Sequence, residues 1–234
     1  MLTPDRSRFS CDPPLWRAAR ETLLTRDLFW HPPGFPVVGE WQMPLLPAPS
    51  LDTIPSHFAP YDKRAANEDP RSTLLHGYMA DRKLQSQLTR PHKWSERFEG
   101  FWGSVTPDFS MWVDDPLDLK IFATRMSRSV GAFHASRGHR VLPGIRWTGP
   151  ADYAFCFDGI TRGSAVSVSN YGSWRDSVMR DRFLIGLPVL VEALEPSVVF
   201  VHGTMDHRLF RILQSKTAFI PLQTRWSSMT TQAG

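Results

Sequence analysis

Five places in this sequence end an apolar run with residues able to hold charge, move protons or grip a ligand. They are Asp81, Thr106-Pro107-Asp108-Phe109-Ser110, Arg146-Trp147, Ser169-Asn170-Tyr171-Gly172 and His202-Gly203-Thr204. Asp108 could act as a base or metal ligand, His202 as a second acid/base, and Arg146 as an anion clamp. Asp81 and Asn170 complete the candidate catalytic set, while Ser110, Arg146, Trp147 and Tyr171 are candidate substrate contacts. Pro107 cannot donate a ladder hydrogen bond, so regular pairing should fail there and free Asp108 to point into a crevice. On that reading Asp108→Asn removes activity and changes stability by less than ~1 kcal/mol. Each residue also has a plainer reading. Asp108 could cap a turn, Asn170 and Gly172 suit a left-handed turn, and His202 could be a satisfied histidine beside a helix start.

Asp81, Asp108 and His202 offer oxygen and nitrogen donors for a divalent metal, but without diagnostic spacing. His134 and His139, like His202 and His207, are five apart, roughly 140° round a helix, so neither pair shares a helical face. There is no Gly-x-Ser-x-Gly elbow, and neither Cys11 nor Cys156 sits in a catalytic motif. Walker loops, dinucleotide fingerprints and paired zinc cysteines are also missing, which removes the common nucleotide-hydrolase and dehydrogenase readings.

The elements that must position these residues follow from proline and from periodicity. Eleven of the 20 prolines fall in the first 60 residues, which excludes long regular elements there. One helix is expected inside that stretch, from Asp12-Pro13 through Leu28, and then irregular wrapping from Pro32 to Pro70 with one short strand near Val37 to Trp41. Trp16, Trp30, Trp41 and Phe58 should tack this arm onto the core. We therefore divide the chain into a Pro-rich arm, 1–70, and an α/β core domain, 71–234.

In the core, strands are expected at Thr73–Met79, Gly103–Phe109, Arg140–Trp147, Ala165–Asn170, Val198–His202 and Ala218–Leu222. Helical segments are expected at Asp81–Leu88 and Lys93–Phe98, with others starting near Ser173 and Thr204, the first of these kinked at Pro188. Between Asp115-Pro116 and Gly138 lies the best helix, with Phe122, Met126, Ser129, Val130 and Phe133 on one face. Lys120, Arg125 and Arg128 fall on the other face, where they could follow a phosphate backbone. Short β-branched runs alternating with helices imply a mostly parallel sheet of five or six strands, covered on both faces and either Rossmann-like or a partial barrel. Ligands gather at the carboxyl ends of such strands.

The chain has 234 residues, 41% hydrophobic and 21% charged, which is ordinary globular composition. Its net charge is +4, and Arg supplies 22 of the 27 basic residues. Arginine suits bidentate phosphate contacts and base stacking, although codon bias gives the same excess. No apolar run reaches the ~18 residues of a membrane span, and two distant cysteines fit a cytoplasmic protein better than a disulfide scaffold.

The segments Trp102-Gly-Ser-Val-Thr-Pro-Asp-Phe-Ser110, Leu142-Pro-Gly-Ile-Arg-Trp147, Phe155-Cys-Phe-Asp-Gly-Ile160, Ala165–Gly172, Leu194-Glu-Pro196 and Val201-His-Gly203 carry a resemblance. Over Leu74–Thr204 the chain resembles a bacterial and phage family, domain of unknown function 4417. Members usually end the first strand in two adjacent acids, where this chain has Ala80-Asp81, and often have tyrosine where it has His202. The resemblance implies a setting in phages and mobile elements and brings no activity with it. Two readings stay open. One is an enzyme acting on a nucleotide, nucleic acid or sugar-phosphate. The other is a non-enzymatic protein that binds nucleic acid or a host or phage protein.

Overall fold

A computed structural model describes residues 34–222. Eight of its strands run parallel in two sets of four, β3 (His57–Pro60), β4 (Thr73–His76), β5 (Gly103–Val105) and β6 (Val141–Leu142), then β7 (Gly144–Ile145), β8 (Val166–Ser169), β9 (Val198–His202) and β10 (Ala218–Pro221). Only Pro143 separates β6 from β7, and its carbonyl accepts from Ser167. The stretch 141–145 therefore pairs with β5 on one side and β8 on the other, joining the two sets. Strand order across the sheet follows chain order. A short antiparallel pair, β1 (Val37–Val38) and β2 (Met43–Pro44), precedes it.

Side chains alternate between two cores, as the two-residue period of a strand requires. Leu75, Val166, Val168, Val199, Val201 and Phe219 face the helices. Leu74, Val105, Leu142, Ala165, Phe200 and Leu222 form a separate cluster with Phe58 and Tyr78. Contacts across this second cluster show the sheet curling on itself. Phe58 of β3 meets Phe200 of β9 edge-on at 6.3 Å, and the Tyr78 hydroxyl reaches Ser167 of β8 at 2.7 Å. The fold is thus the partial-barrel form of the expected α/β class, with the inner face filled by its own side chains.

The helices are α1 (Asp81–Thr89), α2 (Pro91–Phe98), α3 (Leu117–Ala135), α4 (Tyr153–Cys156), α5 (Ser177–Leu194) and α6 (Arg208–Leu213). Asp176 caps α5 by accepting from the amides of Val178 and Met179, and that helix continues through Pro188. Asp115 does not cap α3. Its carboxylate accepts from the Trp112 amide one turn earlier. Gly138 does end α3, at φ +83°, with the His139 amide returning to the His134 carbonyl.

Within the Pro-rich stretch, β3 is an addition to the expected strands. It pairs only with β4, and an edge strand tolerates proline. Trp41 and Phe58 pack on the core as expected, while Trp16, Trp30 and the 12–28 helix lie outside the described residues.

The basic face of α3 needs correction. Arg128 is 1% exposed, and its guanidinium donates to the carbonyls of Asp158, Gly144 and Cys156. Buried Lys120 donates to Val113 and Thr148 and lies 3.8 Å from Asp152, and Arg125 donates to the carbonyls of Trp41 and Gln42. The reason is that β2 packs against α3. That helix is enclosed between sheet and arm, so its long basic side chains serve loop carbonyls and do not form a strip for a phosphate backbone.

Candidate active site at the strand carboxyl ends

Asp81 begins α1 just past β4, Asp108 follows β5, Arg146 follows β7, Ser169 ends β8 and His202 ends β9. Parallel strands in chain order deliver all five to one pole of the curled sheet. The strongest contact is between Arg146 and Asp108. Arg146 Nε donates to Asp108 Oδ1 at 2.8 Å and Nη2 to Oδ2 at 2.5 Å, a bidentate pair. Asp108 keeps 11% of its side-chain surface exposed and Arg146 35%, so the pair lies at the mouth and the guanidinium is its wetter half. This revises the stability expected of Asp108→Asn. Removing a largely buried partner strands Arg146 and should cost about 1–3 kcal/mol, after allowing for the water that reaches it.

Asp81 accepts from the amide of Ser110 and from its hydroxyl, both at 3.1 Å. Burial raises the Asp81 carboxyl above the usual carboxylate range, with the two Ser110 donors pulling the other way. Ser110 is therefore committed to holding Asp81.

On the other side His202 lies against two tyrosines. Tyr78 stacks on it with centroids 4.6 Å apart and planes 5° from parallel, and exposed Tyr171 tilts over it at 5.1 Å. His202 Nδ1 shares a 2.9 Å hydrogen bond with the Ser169 hydroxyl. Burial lowers its pKa to about 4, although the Asp108 charge acts in the opposite sense. Burial thus favours the uncharged imidazole and weakens it as a base, with the nearby carboxylate of Asp108 partly restoring its basicity. Burial, then Asp108, raises the Tyr78 phenol. The stacked rings of Tyr78 and His202 lie near enough to Asp108 for its charge to act on both. His76 stands behind His202 at 5.3 Å, buried, with neither ring nitrogen partnered among the described residues.

Two candidates turn out to be structural. Asn170 is buried, accepting from the Thr204 amide at 3.0 Å and donating to the Thr204 carbonyl at 2.7 Å. Its amide fastens the loop after β8 to the loop after β9, and its burial keeps it from the open mouth. Trp147 is buried, stacked on Phe183 at 5.4 Å, and donates to the Arg182 carbonyl, so it belongs to the α5 interface and not to a substrate pocket. Gly172 adopts the left-handed turn expected of it, at φ +84°.

Tyr78 and His76 were missed. Part of their signal was present, because Leu74, His76 and Tyr78 alternate along β4 and its continuation, and that period puts all three on one face. Cys156 is buried and burial pushes its thiol up, opposed by Arg128, so no thiolate is available there. A cavity of about 20 Å³ lies under the Asp108–Arg146 pair, room for one water and no more, so a substrate would sit above it. No group of three or more metal-ligating side chains occurs among the described residues.

The family described as "Domain of unknown function (DUF4417)" matches residues 35–220, starting well before Leu74. The chain is 31% identical over 133 residues to the Gene 1 protein of Mycobacterium phage L5, covering 57% of this chain and 58% of that protein. It is equally similar to the Gene 1 protein of Mycobacterium phage D29, covering 49% of it. The chain thus spans about half the length of these relatives. No solved structure matches it. Among the described residues, no helix is long and apolar enough to cross a membrane.

Proposed function

This chain belongs to that phage-associated family, and we propose that it is a cytoplasmic enzyme acting on a nucleotide, nucleic acid or sugar-phosphate at the strand carboxyl ends. The observation that carries the reading is the gathering of a bidentate Asp108–Arg146 pair, a neutral His202 and a protonation-biased Asp81 from separate strands. A surface that only binds has no need to assemble titratable groups of opposite bias. Arg146 uses Nε and Nη2 on Asp108, which leaves Nη1 for a phosphate oxygen. His202, held by Ser169 and flanked by two tyrosines, takes up a proton from the nucleophile, and Asp81 is the group best able to supply one. A divalent metal would draw on Asp81 and Asp108 only with Asp81 ionised and Arg146 displaced, so it would replace that acid role and not add to it.

The test is turnover of nucleotides, short oligonucleotides and sugar-phosphates by the full chain, with and without Mg²⁺. His202→Gln should lower kcat about 10²–10⁴-fold, the range for loss of an acid/base group. Arg146→Gln should mainly raise KM. Absence of turnover on every substrate, or a His202→Gln protein as active as the parent, would defeat the enzymatic reading.

A further inference from the structure

At the pole opposite the mouth, where β5 and β6 begin, a groove of about 710 Å³ runs between the loop 47–53 and the turns that end α2 and α3. That volume is in the range of pockets that take nucleotide-sized ligands. Its charge is one-sided. Arg71, Arg137 and Arg140 line it against the single carboxylate of Glu99. Asp52, exposed outside the lining, reaches Arg140 only at 4.0 Å.

Two of these arginines are held in place by rings. Arg140 sits 4.4 Å above Trp102, and Arg137 4.4 Å above Phe133. Ring contact fixes a guanidinium from one side and leaves N–H edges for a ligand, so less order is lost on binding. Arg140 makes one long hydrogen bond, 3.4 Å to the Trp102 carbonyl, and Arg137 one to His92. Half-buried Phe101 adds an aromatic wall.

We propose that this groove binds a single strand of nucleic acid, its phosphates on Arg71, Arg137 and Arg140 and a base against Phe101. Flat, donor-rich arginines beside an aromatic ring match alternating phosphate and base, whereas an acidic peptide would leave the ring unused. Only an unpaired strand can turn a base face onto the Phe101 ring, whereas a duplex keeps its bases stacked inside. The proposal is independent of the chemistry at the mouth, which lies at the far end of the strands.

Fluorescence anisotropy of a labelled 20-nucleotide oligo-dT with the full chain tests it. Three phosphate contacts predict a log–log salt slope of about −2, hence roughly 20-fold weaker binding at 200 mM than at 50 mM salt. Arg71→Glu, at a side chain with no hydrogen bond or ion pair among the described residues, should weaken binding at least fivefold with an unchanged thermal midpoint. Arg140→Gln should do the same, and Arg208→Glu, on α6, should not. No binding at 50 mM salt, salt-independent binding, or Arg71→Glu binding like the parent would overturn the proposal. So would equal affinity for the duplex, or equal competition by poly-glutamate. Small-substrate turnover reads the mouth alone, so the two failures are distinguishable.

Discussion

Acid should destabilise this protein well before its carboxylates protonate, because two histidines are buried without hydrogen-bond partners among the described residues. His76 and His134 are each 2% exposed, and neither ring has a hydrogen-bond partner among the described residues. Burial lowers both to about pKa 3, with His202 adding to the effect at His76 and His139 at His134. In the unfolded chain both titrate near 6.5. Between pH 3 and 6.5 the unfolded state therefore binds more protons, so stability is complete above 6.5 and falls as pH falls. Each ring contributes ~1.4 kcal/mol per pH unit below 6.5, so by pH 5 the pair removes about 4 kcal/mol. That is a large share of an ordinary domain's 5–15 kcal/mol. His202, lowered to about 4, acts in the same direction. Asp81 and Asp158, both raised by burial, act oppositely at lower pH, which confines a clean reading to pH 5–7. Urea melts at half-unit steps across that range measure the slope directly, and His134→Leu should flatten it by about a third, since His76 and His202 keep contributing. Stability that stays level from pH 7 to 5, or a His134→Leu slope equal to the parent's, would refute the reasoning.

Other perturbations have equally definite outcomes. Arg128→Met should cost at least about 3 kcal/mol in a denaturant melt, since three buried carbonyls lose their donor. Gly203→Ala should destabilise by about 2 kcal/mol or more by thermal melt, because φ is +128° and a Cβ would collide with the Asn170 amide that ties two mouth loops. Gly186→Ala should be at least as severe, as its Cβ would enter the Trp147 indole; near-UV circular dichroism of that tryptophan should change with stability. Asp108→Asn should lose both activity and about 1–3 kcal/mol, whereas a variant that is destabilised yet fully active would remove Asp108 from the site.

The alternation of strands and helices was readable because β-branched runs such as Val198–His202 have few other ways to bury both faces, and that strand has the expected bounds. Strand β3 was hidden by Pro55 and Pro60, which are tolerable only at an edge, and a single sequence does not say which strand is the edge. The carboxyl-end rule correctly brought Asp81, Asp108, Arg146 and His202 to one pole. It could not separate residues that face a ligand from those that hold loops together, so Asn170 and Trp147 were grouped with them. Lys120 and Arg128 were misplaced for a related reason. Charge on the far face of a helix reads as solvent exposure, and only the packing of β2 reveals that the far face is covered too. The alternation of Leu74, His76 and Tyr78 showed that they share a face, but only the curl of the sheet shows that this face is the inner one and that it meets His202.

Because the strands lie side by side in the order in which they are encoded, the architecture has a direction in time. As the chain leaves the ribosome, β3 and β4 emerge first, and each later strand arrives with the edge it must join already formed. Among the described strands of the sheet none has to insert between two earlier ones, so each step closes only the loop of a single crossover. The mouth is the exception. Asp81 is synthesised early, His202 late, and the stacking of His202 on Tyr78 closes only after β9 has docked. A chain interrupted before residue 198 would hold much of its sheet and still lack the His202 side of the crevice, which is therefore completed near the end of synthesis.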